Sequence, residues 1–325
     1  MAGPLMRQMP KVLTALAVAV AAGGLLGVRA APVPEHPRSA PRIEVAITVD
    51  DLTRPPFEPA FEPPVEVVEK MVAAFERHGL PPVTGFVNGG TLERNPTDGA
   101  ALARWVGAGN RLGNHTYSHA DLAQVGVGAF LSDVDRNEPV LAKYAGDDHD
   151  WRVFRFPFLQ EGPTERAREA MRTQLALRGY RIAEVTIDFE DWQWFPSYAR
   201  CASEGSASGV AELRTFYRAA ARKELLASDK LGRQLFGRPI RQILLLHAGS
   251  FTAEMMETLL QDYEALGVRF ISLDEALQDS AYHFDPRFAR SWGSSFFTQV
   301  ETARGIPMPP AQWPPHAEVA AACQT

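Results

Sequence analysis

Several ionisable residues of this chain stand directly behind short apolar runs, and their types suit metal-assisted hydrolysis. Thr48-Val49-Asp50-Asp51 closes a run that begins at Ile43, and Asn114-His115-Thr116-Tyr117-Ser118-His119 closes another. Arg155 follows Val153-Phe154, Asp188-Phe189-Glu190-Asp191-Trp192 follows a run ending at Ile187, and His247 terminates Ile243-Leu244-Leu245-Leu246. Two histidines at i and i+4 can share one face of a helical turn and grip one ion. A carboxylate beside them completes a three-ligand centre with an open position for water, whose pKa such an ion lowers to about 7. A second carboxylate can then act as general base, and a histidine on the opposite side can protonate a departing amine or alkoxide. The chemistry would be hydrolysis of an amide or ester.

Each feature alone also has a plain structural reading. An Asp pair after a strand can be a turn or a helix N-cap. The histidine pair can be surface or hydrogen-bonded residues, Arg155 can pair with a surface acid, and His247 can be satisfied by a backbone carbonyl. Their joint placement favours a site, which depends on the elements that carry them. Apolar β-type runs alternate with amphipathic stretches, the pattern of a parallel sheet with covering helices. The pattern predicts strands at Ile43–Val49, Pro82–Val87, Arg111–Asn114, Val153–Phe156, Arg181–Ile187, Gln242–Leu246 and Val268–Ser272. It predicts helices over Val65–His78, Thr97–Ala108, Gly128–Tyr144, Thr164–Arg178, Val210–Ala227 and Thr252–Leu266. In the last, Met255, Met256, Leu259, Leu260 and Tyr263 keep a helical spacing and read as core, with Gly267 at the C-cap position. In parallel α/β folds chemistry gathers at the C-terminal ends of the strands, where five of these seven runs carry ionisable groups.

A single α/β barrel-like domain over residues 42–280 accounts for the seven units, since such barrels exceed the usual domain length. Gln193–Ser208 reads as a loop with Pro, Gly and Ser, and residues 281–325 as a Pro-rich C-terminal extension. At the other end, Arg7 and Lys11 precede the uncharged run Val12–Val28, which closes on Val28-Arg29-Ala30. Small residues at −3 and −1 mark a signal peptide over residues 1–30. Gly23, Gly24 and Gly27 soften the run relative to a membrane anchor, which needs about 20 strongly apolar residues. Residues 31–41 form a Pro-rich spacer. The expectation is export, to a periplasm or outside the cell, without stable membrane insertion after cleavage. The 325 residues are 46% hydrophobic and 22% charged, which excludes a disordered or collagen-like chain. Lys and Arg number 33 against 39 Asp and Glu, so no basic surplus suggests a nucleic-acid partner. Cys201 and Cys323 are too few for a disulfide framework or a thiolate zinc site, and whether they bridge is left open.

Together these residues resemble the polysaccharide deacetylases, the NodB-homology carbohydrate esterases. That family's ordered signatures are Thr-aromatic-Asp-Asp, His-Ser/Thr-x-x-His, Arg-x-Pro-Tyr, Asp-x-x-Asp-Trp and Leu-x-His, and all five recur in order between Ile43 and Leu277. The resemblance implies a distorted (β/α)7 barrel. It implies Asp50 as general base, Asp51, His115 and His119 as ligands of one divalent ion, best zinc, and His247 as general acid. Arg155 would orient Asp50, and Asp191, rather than Asp188, would hold and tune His247. Trp192 and Leu245 would wall the acetyl pocket, and the backbone N–H of Phe158 would face the oxyanion. Two positions depart from the signatures: Val49 replaces an aromatic, and Phe158 replaces Tyr, which removes a hydroxyl but keeps the backbone donor. The implied activity is removal of N-acetyl or O-acetyl groups from an extracytoplasmic carbohydrate such as chitin-like oligomers or peptidoglycan. The alternatives are an amide hydrolase acting on a small non-peptide C–N substrate, opposed by the complete ligand set, and an inactive carbohydrate-binding barrel, opposed by the presence of both Asp50 and His247.

Overall fold

The strand that opens the fold shows how the sequence builds it. In Glu44–Leu52, alternate residues Val45, Ile47 and Val49 are apolar and pack outward, while Ala46, Thr48 and Asp50 occupy the opposite face. The computed structural model describes residues 43–55, 62–146, 150–307 and 316–323. The predicted signal peptide and spacer lie outside the described residues.

Seven parallel strands are present among the described residues: β1 Glu44–Leu52, β2 Thr84–Val87, β3 Arg111–Asn114, β4 Val153–Phe154, β5 Arg181–Ile182, β6 Gln242–His247 and β7 Arg269–Ile271. They follow the order β5-β4-β3-β2-β1-β6, and β7 pairs with the first residues of β1. The two ends of this path meet. Beyond β5 the chain runs to Ile187, whose N–H donates to the Ile243 carbonyl at 3.0 Å and whose carbonyl accepts from Leu245 N–H at 3.0 Å. The result is a curled, distorted (β/α)7 barrel of one domain, as expected.

The helices are α1 Pro64–Arg77, α2 Gly90–Arg94, α3 Gly99–Gly107, α4 Leu122–Ala145, α5 Glu165–Leu177, α6 Trp194–Ser203, α7 Ala207–Phe236, α8 Ser250–Ala265, α9 Leu273–Ala276, α10 Phe296–Ala303 and α11 Ala317–Ala321. Among the described residues no helix is long and apolar enough to cross a membrane. Two apolar layers hold sheet and helices together. Val45, Ile47, Val49, Leu244 and Leu246 meet the surrounding helices. Ala46, Phe86, Val153, Ala183, Ile243 and Ile271 fill the barrel interior. Gly113 makes room there, because a Cβ at this position would stand 2.6 Å from the Phe86 ring.

Two expectations require correction. Gln193–Ser208 is not a loop: α6 occupies most of it, because Trp194, Phe195, Tyr198 and Cys201 form a buried helical stripe. Pro196 lies in the first turn of that helix, where its missing N–H costs no bond. The extension over residues 281–325 is also not merely Pro-rich, since it contains α10 and α11. Phe296, Phe297 and Val300 of α10 form an apolar cluster with Leu235, Ile240 and Ala281, and Phe296 N–H donates to the Val185 carbonyl at 2.7 Å. The question of the cysteines is answered as well: Cys201 of α6 and Cys323 beyond α11 are bridged, with Cα atoms 5.4 Å apart.

Candidate active site

Pairing of β1 with β6 brings acid and base residues together. Thr48 stands opposite Leu245 and Asp50 opposite His247, so the alternation that buries Val49 and Leu246 outward turns Asp50, Leu245 and His247 to the interior. Asp50 is buried, and Arg155 Nη1 lies 3.3 Å from each of its carboxylate oxygens. Arg155, itself buried, is fixed by Nε donating to the Ala183 carbonyl at 2.7 Å, by Nη2 donating to Thr48 Oγ1 at 3.1 Å, and by its stacking over Phe86. Burial raises the Asp50 pKa from 3.8 to about 6, against the opposing pull of Arg155 and His247.

A regular strand would point Asp51 away from Asp50. The backbone at Asp51 is left-handed instead, with φ 57°, and the pairing of β1 with β2 is irregular between Val49 and Leu52. Asp and His adopt this conformation more readily than most residues. His115 Nε2 consequently stands 3.7 Å from both Asp50 Oδ2 and Asp51 Oδ1. His119, also left-handed, brings Nε2 to 3.5 Å from Asp51 Oδ1. The histidine pair does not ride on a helical turn; it lies in the loop between β3 and α4, where positive φ at Thr116 and His119 bends the chain.

Asp51, His115 and His119 offer ligand atoms within 4.8 Å of one another. The donor set fits a divalent ion on three observations. Both oxygens of Asp51 are buried without a hydrogen-bond partner, an arrangement that costs free energy unless a cation satisfies it. His115 Nδ1–H donates to the Arg155 carbonyl at 2.8 Å, which fixes the tautomer and leaves the Nε2 lone pair aimed at the carboxylates. Burial and neighbouring His119 hold the His115 pKa well below its ordinary value, keeping the ring neutral, as a ligand must be.

On the other side of Asp50, His247 Nδ1 lies 2.7 Å from Asp191 Oδ1. The second oxygen of buried Asp191 accepts from His247 N–H at 2.9 Å and from the Thr252 hydroxyl. Burial opposes the charge on His247, but Asp191 outweighs it, with smaller contributions from Asp51 and Asp50, and raises the pKa from 6.5 to about 9. Asp188 instead accepts from the Glu190 N–H at 2.8 Å, closing a turn. Phe158 is left-handed at φ 58°, mostly exposed, and packs its ring edge-on to His119 at 4.5 Å. Leu245 is buried, and Trp192 is partly buried against the core.

Sequence reasoning missed the residues that brace the histidine loop. Asn88 Nδ2 donates to the His115 carbonyl at 2.6 Å and to the Thr116 carbonyl at 3.2 Å. Asn137, fully buried within α4, donates to the Val87 carbonyl at 2.7 Å and to Asn114 Oδ1 at 3.0 Å, and accepts from Gly89 N–H. The signal was available: Phe130, Val134, Asn137 and Leu141 share one buried helical stripe, and an amide on such a stripe needs partners.

Residues 38–183 match the polysaccharide deacetylase family model. Asp191, Trp192, Leu245 and His247 lie beyond the matched stretch, and the fold brings them to it. The chain is 26% identical over 154 residues to a peptidoglycan-N-acetylglucosamine deacetylase of Bacillus cereus, covering 47% of each. It is 25% identical over 149 residues to a probable peptidoglycan-N-acetylglucosamine deacetylase of Arthroderma benhamiae, covering 46% of this chain and 30% of that one. The chain thus spans about half or less of the length of these curated relatives. Its fold is similar to that of a CE4 family pseudoenzyme from Bacillus anthracis, with a TM-score of 0.50, 15% identity, and coverage of 75% of this chain and 67% of that one.

Proposed function

We propose that this protein is a metal-dependent hydrolase that removes N-acetyl or O-acetyl groups from an acetylated carbohydrate such as a chitin-like oligomer or peptidoglycan. The observation that carries this reading is the register of Asp50 opposite His247 beside the Asp51, His115 and His119 donor set. A divalent ion held by those three residues, for which zinc suits the nitrogen-rich donor set best, would act as a Lewis acid on the acyl oxygen and activate water. Asp50, oriented by Arg155, takes the proton from the attacking water. His247 is charged by Asp191, whose Oδ1 accepts the Nδ1 proton and leaves Nε2 to protonate the departing amine or alkoxide. The Phe158 N–H donates to the oxyanion, and Trp192 and Leu245 wall the acetyl methyl group.

In this reading the barrel of residues 42–280 carries the chemistry, and residues 281–325 are a C-terminal extension, of which α10 packs on Leu235, Ile240 and Ala281. The protein works outside the cytoplasm, in a periplasm or secreted. Two features support that location: the signal-like residues 1–30 and the Cys201–Cys323 bridge, which persists in oxidising compartments. The test is acetate release from acetylated chitin oligomers, peptidoglycan and acetylated xylan. Turnover on one of them, lowered about 10²–10⁴-fold in His247→Ala, is the expected result. Absence of acetate release from all three by protein loaded with zinc refutes the proposal.

A further inference from the structure

The residues beyond the barrel carry a second exposed aromatic residue on a segment whose backbone runs against the Phe158 loop. Gly293 presses against the Phe158–Leu159 backbone so closely that a Cβ there would stand 1.8 Å from the Phe158 carbonyl oxygen. No other residue could make this approach, so the glycine fixes the path of the segment. Three residues earlier, Arg290 N–H donates to the Gly162 carbonyl at 3.0 Å in an antiparallel bridge. Residues 290–293 therefore run against the loop that follows β4. Trp292, next to Gly293, is 50% exposed, and Phe158 is 57% exposed, the two most exposed aromatic residues among the described residues. The Trp292 ring is held in place by an edge contact with buried Phe288 at 5.4 Å. Phe158 is held in the same way by His119.

We propose that Trp292 and Phe158 form an aromatic subsite that takes a sugar ring of an oligosaccharide next to the residue being deacetylated. One face of a pyranose ring presents C–H groups, which suit the negative face of an indole or phenyl ring, and rings already fixed by neighbours lose little entropy on binding. Phe158 adjoins the ion-ligand His119, so a sugar seated across Phe158 toward Trp292 lies one position along the chain from the reacting acetyl group. The subsite makes the protein selective for oligomers over single sugars. It rests on the carbohydrate reading above and adds a binding position whose Trp292 lies outside the stretch matched to the family model.

The test compares zinc-loaded native protein, Trp292→Ala and Trp292→Phe. Binding of the dimer and the hexamer of N-acetylglucosamine is measured by calorimetry, and acetate release from both is followed in parallel. Trp292→Ala should weaken hexamer binding about tenfold, the scale of one lost aromatic contact, and dimer binding by clearly less. Trp292→Phe should keep most of the hexamer affinity. Equal losses on dimer and hexamer, or no loss on the hexamer, overturn the subsite while native turnover leaves the carbohydrate reading standing. Native protein that neither binds the hexamer nor releases acetate overturns both.

Discussion

Replacing Asp191 by Asn tests the division of labour between base and acid. The carboxylate makes three contacts: one oxygen with His247 Nδ1, the other with the His247 N–H and the Thr252 hydroxyl. It is the largest of the influences that raise His247 from 6.5 to about 9 against the opposing effect of burial. That elevation corresponds to about 3 kcal/mol favouring the imidazolium, part of which comes from Asp51 and Asp50. An Asn keeps one oxygen to accept from Nδ1 but has no charge, so His247 should lose its proton one to two pH units earlier, an effect of about 1.5–3 kcal/mol. The alkaline limb of kcat/KM should move down accordingly. At pH 8 the rate should fall about two- to tenfold, whereas near pH 6 it should change little beyond any loss of orientation.

The assay is acetate release across pH, with zinc content measured on the same samples and expected to stay at the native level. The amide group introduced by Asp191→Asn would also face the His247 N–H, which costs stability of about 1–3 kcal/mol, so a melting curve should accompany each profile. Asp50 and His247 belong to one coupled site, and the apparent pKa of a limb belongs to the pair; the comparison is therefore among variants. Asp188→Asn should leave the alkaline limb in place, because Asp188 closes a turn at Glu190. An unmoved limb in Asp191→Asn together with a shifted one in Asp188→Asn would refute the assignment. If neither variant moves it, the tuning role is wrong. His247→Ala should lose most activity at every pH, and less on an ester whose leaving group needs no proton.

The native protein should hold about one divalent ion per chain, and His119→Ala should lose most of it with the circular dichroism spectrum unchanged; full metal content in the variant refutes the ligand set. Arg155→Ala should destabilise by about 3–5 kcal/mol by leaving Asp50 buried and unpaired, and adding Asp50→Asn should recover part of that loss in denaturant melts. Reduction of the Cys201–Cys323 bridge, or its replacement by two serines, should cost about 2–4 kcal/mol, because the closed loop spans 122 residues; a melt insensitive to reductant counts against the bridge. N-terminal sequencing of exported protein should find a start near Ala31, and Met1 on the bulk of the protein refutes signal cleavage.

The fold was legible where local pattern decides it. The helical stripe of α8 declared that element, and the apolar runs, among them those in Glu44–Leu52 and Gln242–His247, gave all seven strands. What failed was the weight given to composition. Pro, Gly and Ser made Gln193–Ser208 look irregular, yet the tertiary burial of Trp194, Phe195, Tyr198 and Cys201 decides the outcome and yields α6. The barrel closure through Ile187 and Leu244 and the Cys201–Cys323 bridge join residues far apart in the chain, where periodicity carries no information.

The site was legible as a set of residue types at strand ends, but only the family resemblance, and not strand alternation, assigned different roles to the two adjacent carboxylates. Strand alternation would put Asp50 and Asp51 on opposite faces, and only the left-handed backbone at Asp51 with the irregular pairing after Val49 brings both near His115. Once there, their surroundings separate them. Asp50 has a guanidinium locked against it and faces His247 across the strand pair, so its charge is balanced by protein and its lone pairs stay available to a proton. Asp51 has two buried oxygens without a protein donor and two imidazoles within 3.7 Å, so its charge is balanced only by an added cation. In this reading base and ligand are distinguished by what stands beside each carboxylate, and one unusual backbone conformation creates that difference between consecutive, chemically identical side chains.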